Sequence, residues 1–180
     1  EMTQGAGLIV GHEIRLGDCL DPVSGLASLP DRSIDHVITD PPYTEHVHGT
    51  QRRLSPTGVQ ASELDFSALA PEDMQAVARE LARVARRWVI VFCAAEQIGD
   101  WHAAITDAGL EHVRVGAWVK THYTPQFTGD RPAAGFEPIM IAHQAPPGRK
   151  RWNRGGESAV WTGPIRDGSE RVHTTQKPVW

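Results

Sequence analysis

The residues with the clearest chemical potential are Asp40-Pro41-Pro42-Tyr43, which follow the strand-like segment 34–39. Acceptors beside a flat ring suit a planar substrate that carries an amino group, such as a nucleobase. The exocyclic nitrogen of such a base is a poor nucleophile because its lone pair is conjugated with the ring. Hydrogen bonds from its protons to the Asp40 carboxylate and the Pro41 carbonyl would favour a pyramidal, more nucleophilic nitrogen. The two prolines stop the strand and remove backbone donors, and the Tyr43 ring could stack on the base. An ordinary strand-to-loop turn is the alternative interpretation.

Basic residues surround an aromatic side chain in the last third of the chain. The whole sequence has a formal net charge of −4, but residues 111–180 hold ten Lys and Arg against six Asp and Glu. Basic side chains neutralise phosphates and an interleaved tryptophan can stack on a base, which makes this cluster a candidate nucleic-acid contact. A solvated loop is the alternative interpretation. The cluster comprises Arg149, Lys150, Arg151, Trp152 and Arg154.

The elements that would position these residues alternate between strand-like and helix-like segments, which predicts an α/β fold. Pro71 can open a helix over residues 71–84, where apolar residues recur at helical spacing. A second helix is predicted over residues 98–108, with Gly109 as its cap. The remaining predictions are a short helix or turn at 20–29, strands at 13–16, 34–39, 88–93, 113–120 and 136–143, and irregular surface structure at 144–172.

The predicted strands place Asp40 at one edge of a sheet. The run 88–93 has the length and β-branching of a strand buried on both faces, as in a parallel sheet covered by helices. In an open α/β sheet, ligands bind at the carboxyl ends of the strands. We therefore expect a doubly wound, Rossmann-like sheet with flanking helices and with the candidate chemistry at its carboxyl edge.

Composition predicts one soluble domain, since 40% of the 180 residues are hydrophobic and 22% are charged. No apolar run approaches the ~20 residues that span a bilayer, and the first residues lack the layout of a signal peptide, so we expect a cytoplasmic protein without a membrane partner. Cys19 and Cys93 are predicted to be reduced core thiols. His46 and His48 lack a third nearby ligand, so no metal site is assigned.

Asp40-Pro41-Pro42-Tyr43 resembles the catalytic motif of the S-adenosylmethionine-dependent methyltransferases that modify DNA at adenine N6 or cytosine N4. Further segments in the family's order carry the resemblance over nearly the whole chain. The upstream segments are Gly17-Asp18-Cys19-Leu20 and Leu29-Pro30-Asp31-Arg32-Ser33-Ile34-Asp35. The downstream segments are Trp118-Val119-Lys120, Arg131-Pro132, Phe136-Glu137-Pro138-Ile139 and His173-Thr174-Thr175-Gln176-Lys177-Pro178, the last close to the His-Pro-Thr-Gln-Lys-Pro segment of the β-type motif order.

The resemblance implies a cofactor, a partner and roles for individual residues. It implies S-adenosylmethionine as the methyl donor and double-stranded DNA with a flipped target base as the substrate. Asp40, Pro41 and Tyr43 match catalytic positions, and Pro42 shapes the turn. Trp118 and Lys120 could border the base pocket. The positions that match the cofactor site are Asp18, which could equally be a turn residue, and His173, Thr175, Gln176 and Lys177.

Two departures from the family pattern shape further expectations. Thr174 stands where the family usually has proline, and no Asp-Pro-Phe-x-Gly-x-Gly strand and loop follows the segment 173–178. We therefore expect a truncated chain, a fragment or a degenerate relative, with a sheet incomplete at its carboxyl-terminal end. The expected division is a catalytic part at 1–143, a short basic target-recognition segment at 144–172, and the start of the cofactor-binding part at 173–180.

The resulting prediction is a DNA amino methyltransferase that prefers adenine N6 to cytosine N4, because aspartate heads the motif. Alternatives are an inactive DNA-binding remnant and a methyltransferase acting on RNA or protein. The polar segment 44–65 is long for a connection, which favours a functional lid or a disordered segment, and a lid over the base and cofactor is the hypothesis adopted. Because the target-recognition segment is short, a homodimer is a further expectation.

Overall fold

The computed structural model describes residues 13–43, 69–123, 125–144, 150–153, 155–165 and 177. The predicted lid at 44–65 lies outside these residues. Within them, five strands form one sheet in the order β1-β2-β4-β3-β5. The elements along the chain are β1 Val37–Thr39, α1 Pro71–Val84, β2 Trp88–Phe92, α2 Ile98–Asp107, β3 Leu110–Lys120, β4 Phe136–Gln144 and β5 Val160–Gly163, with 3-10 turns at Leu26–Ser28 and Ala95–Gln97.

The sheet is mixed, and its strand directions bring five chain segments to one edge. β1 runs parallel to β2, and β5 runs parallel to β3. β4 is antiparallel to both β2 and β3. The ends of β1, β2, β3 and β5 therefore meet the beginning of β4 at the carboxyl edge, which is where the residues after β1 emerge.

Two helices cover one face of the sheet. α1 begins at Pro71, as predicted, and buries the apolar stripe that includes Met74 and Leu81. α2 buries Trp101 and Ile105, and its carboxyl end is followed by Gly109 at φ +82°, a conformation that favours glycine. Both stripes pack in one cluster with Val89, Val91, Met140 and Ala142 from the central strands.

The opposite face is covered by the segment that leads into β5. Trp88 and Trp118 form a second apolar cluster there, with Trp152 and Trp161 packed against it. Gly116 permits this packing, because a Cβ atom at that position would lie 2.9 Å from the Trp161 ring and 2.8 Å from the Ala159 carbonyl oxygen. The second helix layer of a doubly wound sheet is not among the described residues.

The α/β prediction is confirmed, including both helices and the strands at 88–93, 113–120 and 136–143, with ends shifted by up to three residues. The strand predicted at 13–16 is wrong, since these residues are exposed and pair with no strand in the described part of the chain. The prediction of irregular structure at 144–172 missed β5. Cys93 is buried, but Cys19 is exposed, so only one of the two predicted core thiols lies in the core.

Candidate active site

Asp40 and Tyr43 face each other just beyond the end of β1. The Tyr43 hydroxyl lies 3.1 Å from Asp40 Oδ1 and 3.0 Å from Glu137 Oε2 at the start of β4. A phenol has one proton to donate, so its O–H group can donate fully to only one of these carboxylates at a time. One phenolic proton in the turn after β1 is thus shared between an acid of the same turn and an acid at the start of β4.

Lys177 joins the same two acids from the other side. Its ammonium group lies 3.0 Å from Asp40 Oδ2, 2.6 Å from Glu137 Oε2 and 3.3 Å from the Tyr43 hydroxyl. Lys120, the last residue of β3, lies 2.8 Å from Glu137 Oε1. Two carboxylates, two ammonium groups and one phenol therefore form a continuous network at the carboxyl edge.

The electrostatics of this network keep Glu137 charged and Tyr43 neutral. Burial alone would raise the pKa of Glu137, but the nearby charges and hydrogen bonds of Lys177 and Lys120 outweigh it and lower that pKa below its usual value. Burial, followed by the nearby carboxylates of Glu137 and Asp40, raises the pKa of the Tyr43 phenol far above its ordinary value. Tyr43 is thus a proton donor to carboxylates at every physiological pH.

Aromatic rings surround the Lys177 ammonium group. Its Nζ atom lies 5.4 Å from the ring centroids of Tyr43 and Phe92 and 5.9 Å from that of Trp118. Cations are attracted to aromatic faces at such distances. The Trp118 indole N–H is buried without a hydrogen-bond partner in the described structure. The edge therefore combines flat apolar surfaces with acceptors, which suits a planar heterocycle that carries an amino group.

Cys93 also lies beside the network, directly after β2. Burial, reinforced by the charge of Glu137, raises the pKa of its thiol to about 12. A thiol with such a pKa is protonated at neutral pH and is a poor nucleophile. We therefore assign Cys93 to packing rather than to chemistry.

Of the predicted cofactor residues, the structure describes Asp18 and Lys177. Asp18 is exposed, and its Oδ1 atom accepts the backbone N–H of Leu20 at 2.8 Å. It thus shapes a turn, as in the alternative interpretation, and its cofactor role stays a prediction. Lys177 contacts Asp40 and Tyr43 in the turn after β1, and its cofactor role also stays a prediction. His173, Thr175 and Gln176 lie outside the described residues.

The predicted DNA-binding cluster is partly engaged in packing. The Lys150 ammonium lies 2.6 Å from Glu111 Oε1, and the Arg151 carbonyl accepts the indole N–H of Trp88 at 2.9 Å. The Trp152 ring meets that of Trp88 edge to face, with centroids 4.9 Å apart. Arg149 and Arg154 lie outside the described residues, and phosphate binding by the cluster stays a prediction.

Sequence reasoning did not identify Glu137 as a site residue, although this residue contacts three of the four other members of the network. The signal was present, since Glu137 is the only acidic residue in the largely apolar strand Phe136–Gln144. An acid that is 15% exposed at the start of a buried strand needs partners. Because Glu137 lies 94 positions from Tyr43 along the chain, their contact could not be predicted from the sequence.

Solved structures resemble this chain in fold, whereas no family model matches the sequence. One is M1.HpyAVI in complex with SAM, which has a TM-score of 0.53 and 15% identity over 84% of this chain and 61% of that one. Another is TTHA0409 of Thermus thermophilus, provisionally named a DNA modification methylase, with a TM-score of 0.50 and 18% identity over 81% of this chain and 64% of that one.

The chain thus spans less than two thirds of the length of these structures. None of the described helices is long and apolar enough to cross a membrane. The described residues also contain no group of three or more potential metal ligands. The Rossmann-like prediction is confirmed, because the mixed sheet with its flanking helices has the fold of these methylase structures.

Proposed function

We propose that the chain is the catalytic part of a DNA methyltransferase that transfers a methyl group from S-adenosylmethionine to an exocyclic base amino group. The observation that carries the proposal is the pairing of the Asp40 carboxylate with the Tyr43 phenol at the carboxyl edge of the sheet. Adenine N6 is the proposed target in preference to cytosine N4, because the motif begins with aspartate.

Asp40 and the Pro41 carbonyl would hold the amino group, and the Tyr43 ring would stack on the base. Hydrogen bonding to these acceptors concentrates the lone pair on the nitrogen. S-adenosylmethionine would supply the methyl group by cleavage of its S–CH3 bond and leave as S-adenosylhomocysteine, and the methyl group would replace one amino proton. The Asp40 side chain is 34% exposed, so it can accept that proton and pass it to solvent. Stabilisation of developing charge by such a group contributes about 3 to 4 kcal/mol.

The chemistry of the edge fits a cationic methyl donor. A sulfonium is a cation, and the same carboxylates and aromatic rings already attract the Lys177 ammonium. The proposed cofactor contacts are Asp18 and Lys177, together with His173, Thr175 and Gln176. These assignments rest on the sequence resemblance.

Double-stranded DNA is the proposed partner, with its target base rotated out of the stack at a cost of about a few kcal/mol. Contacts from the basic cluster to phosphates would offset this cost. Lys150 contacts Glu111 near the start of β3 and Trp152 contacts Trp88 at the start of β2, so phosphates bound by the cluster would lie toward the edge of the sheet opposite Asp40. A second subunit would extend the short recognition segment 144–172.

The test is methyl transfer from tritiated S-adenosylmethionine to unmethylated plasmid DNA of mixed sequence. We expect Asp40→Ala to lower the rate about 100-fold to 1,000-fold through loss of the acceptor. Asp107→Asn is the matched control, because it removes one negative charge at the end of α2, near the opposite edge of the sheet.

Mass spectrometry of the digested DNA identifies the product as N6-methyladenine or N4-methylcytosine. Near-normal transfer by the Asp40 variant would refute the catalytic assignment. Transfer that is confined to RNA or protein substrates would refute the proposed substrate class.

A further inference from the structure

Both oxygens of Asp40 are engaged by the protein itself. Tyr43 donates toward Oδ1 at 3.1 Å, and Lys177 donates to Oδ2 at 3.0 Å. An ionised carboxylate keeps further lone pairs beside these two donors, but each donor takes up part of its charge and of the space around it, so Asp40 would hold an incoming amino group more weakly while both stay in place. If Asp40 is the amino acceptor, a second acceptor that takes over at least one of these donors would strengthen its hold on the amino group.

Glu137 is placed to be that acceptor. Its Oε2 atom lies 3.0 Å from the Tyr43 hydroxyl and 2.6 Å from the Lys177 ammonium, so each donor is already nearer to Glu137 than to Asp40. Rotation of the phenolic proton and a small shift of the ammonium would complete both hydrogen bonds to Glu137. No covalent bond needs to change, and no proton leaves its donor.

Lys120 prepares Glu137 for this role. It holds Oε1 at 2.8 Å from the opposite side, which fixes the carboxylate and directs Oε2 toward the two donors. The charged groups that face Glu137 are Lys120 from β3, Lys177, and Asp40 after β1, with the neutral groups Tyr43 and Cys93 beside it. Its two lysine neighbours keep it ionised despite burial.

We infer that Glu137 is a positioning residue that withdraws Tyr43 and Lys177 from Asp40 when a base amino group enters, and so frees Asp40 to accept that group. This inference rests on the proposed function, because it takes Asp40 as the amino acceptor. Glu137, near the start of β4, would then help the site to distinguish a base that carries an amino group from one that does not.

The experiment measures binding of two single-stranded oligonucleotides by fluorescence anisotropy. Each is a 12-nucleotide oligothymidylate with one central purine nucleotide, which is adenine in one and unsubstituted purine in the other. The two probes differ only in the amino group, and neither requires base flipping from a duplex. The proteins are the full chain, Glu137→Gln, Lys177→Met, the Glu137→Gln/Lys177→Met double variant, and the Asp107→Asn control.

We expect the unmodified chain to prefer the adenine probe, and Glu137→Gln to reduce this preference about tenfold, as for loss of one charge-assisted hydrogen bond. The double variant should recover the preference to within about threefold, because it lacks both the withdrawing acceptor and the ammonium that would otherwise occupy Asp40. A residue that only maintained the fold would change the affinity for both probes alike and leave their ratio unchanged.

The outcomes separate the two proposals. Absence of any adenine preference in the unmodified chain would overturn Asp40 as the amino acceptor and the proposed function with it. A preference that survives in Glu137→Gln, or that the second substitution fails to restore although circular dichroism shows a folded protein, would overturn the role of Glu137 alone.

Discussion

At the scale of a single residue, Glu137 illustrates how neighbouring groups keep a largely buried carboxylate ionised. Only 15% of its side chain is exposed, yet its pKa lies below the usual value because two ammonium groups compensate for burial. Such an acid favours the folded state wherever it is ionised. The same charge that serves the proposed site is therefore also a source of stability that depends on pH.

The stability that ionised Glu137 contributes should be lost as the pH falls. The pKa of Glu137 is lower in the folded protein than the ordinary value of 4.5, so the unfolded chain takes up a proton first as the pH falls. We expect Glu137→Gln to unfold more easily than the unmodified chain at pH 7, and the difference to shrink as the pH falls through 4.5 and below.

Denaturant unfolding at a series of pH values, with Asp107→Asn as the charge control, measures this difference. A difference that is constant from neutral pH down to well below the ordinary pKa of a glutamate would contradict the assignment of an ionised, ion-paired Glu137.

At the scale of elements, the pairing of β3 with β5 depends on one glycine. A Cβ atom at Gly116 would come within 2.8 Å of the Ala159 backbone and 2.9 Å of the Trp161 ring, so Gly116→Ala must displace β5 or the ring. We expect a loss of about 1 to 3 kcal/mol in the free energy of unfolding.

Gly99→Ala in α2 is the matched control, since no atom lies within 4 Å of the added Cβ. There the same substitution should stabilise the helix by about 0.5 to 1 kcal/mol. Thermal unfolding of both variants tests the contrast, and equal effects would show that β5 is not held in place by this contact.

The elements that sequence reasoning predicted are those whose signals are local. Helix α1 has a proline at its first turn and an apolar stripe along its length, and β2 is a continuous apolar run. β5 has only four residues and owes its structure to pairing with β3, which no local pattern reveals. Residues 13–16 alternate like a strand but pair with no other strand in the described structure, so their pattern was misleading.

The candidate site divides in the same way. Asp40 and Tyr43 are three positions apart and could be recognised from a short motif. Glu137 joins them only because β1 lies beside β2 and β2 lies beside β4, and this order could not be deduced from the sequence. Lys177 was noticed for its motif, but its contact with Tyr43 joins residues 134 positions apart along the chain and could not be deduced from the sequence.

At the scale of the whole molecule, charge is distributed unevenly along the chain. The net charge is −4, but the excess of basic residues lies after position 110, in the part that contains β3, β4, β5 and the cluster around Trp152. The net negative charge of the molecule would repel a polyanion, whereas the basic residues after position 110 would attract it. Binding to DNA should therefore depend on a few local cations and respond to salt accordingly.

Salt dependence can decide whether the basic cluster contacts phosphates. Each cation that neutralises a phosphate of duplex DNA contributes about 0.9 to the slope of log affinity against log salt concentration. We expect Arg151→Ala to reduce this slope by nearly one unit for duplexes of any sequence. Arg79→Ala, an exposed arginine on α1, should leave the slope unchanged.

Lys150 offers a second arm of this test, because Glu111 holds its ammonium at 2.6 Å and competes with DNA for it. Glu111→Gln should strengthen binding at low salt by releasing that ammonium, and the gain should vanish in the Glu111→Gln/Lys150→Met double variant. Anisotropy titrations at several salt concentrations measure all of these effects. A slope that Arg151→Ala leaves unchanged, with no gain from Glu111→Gln, would place the DNA surface elsewhere on the molecule.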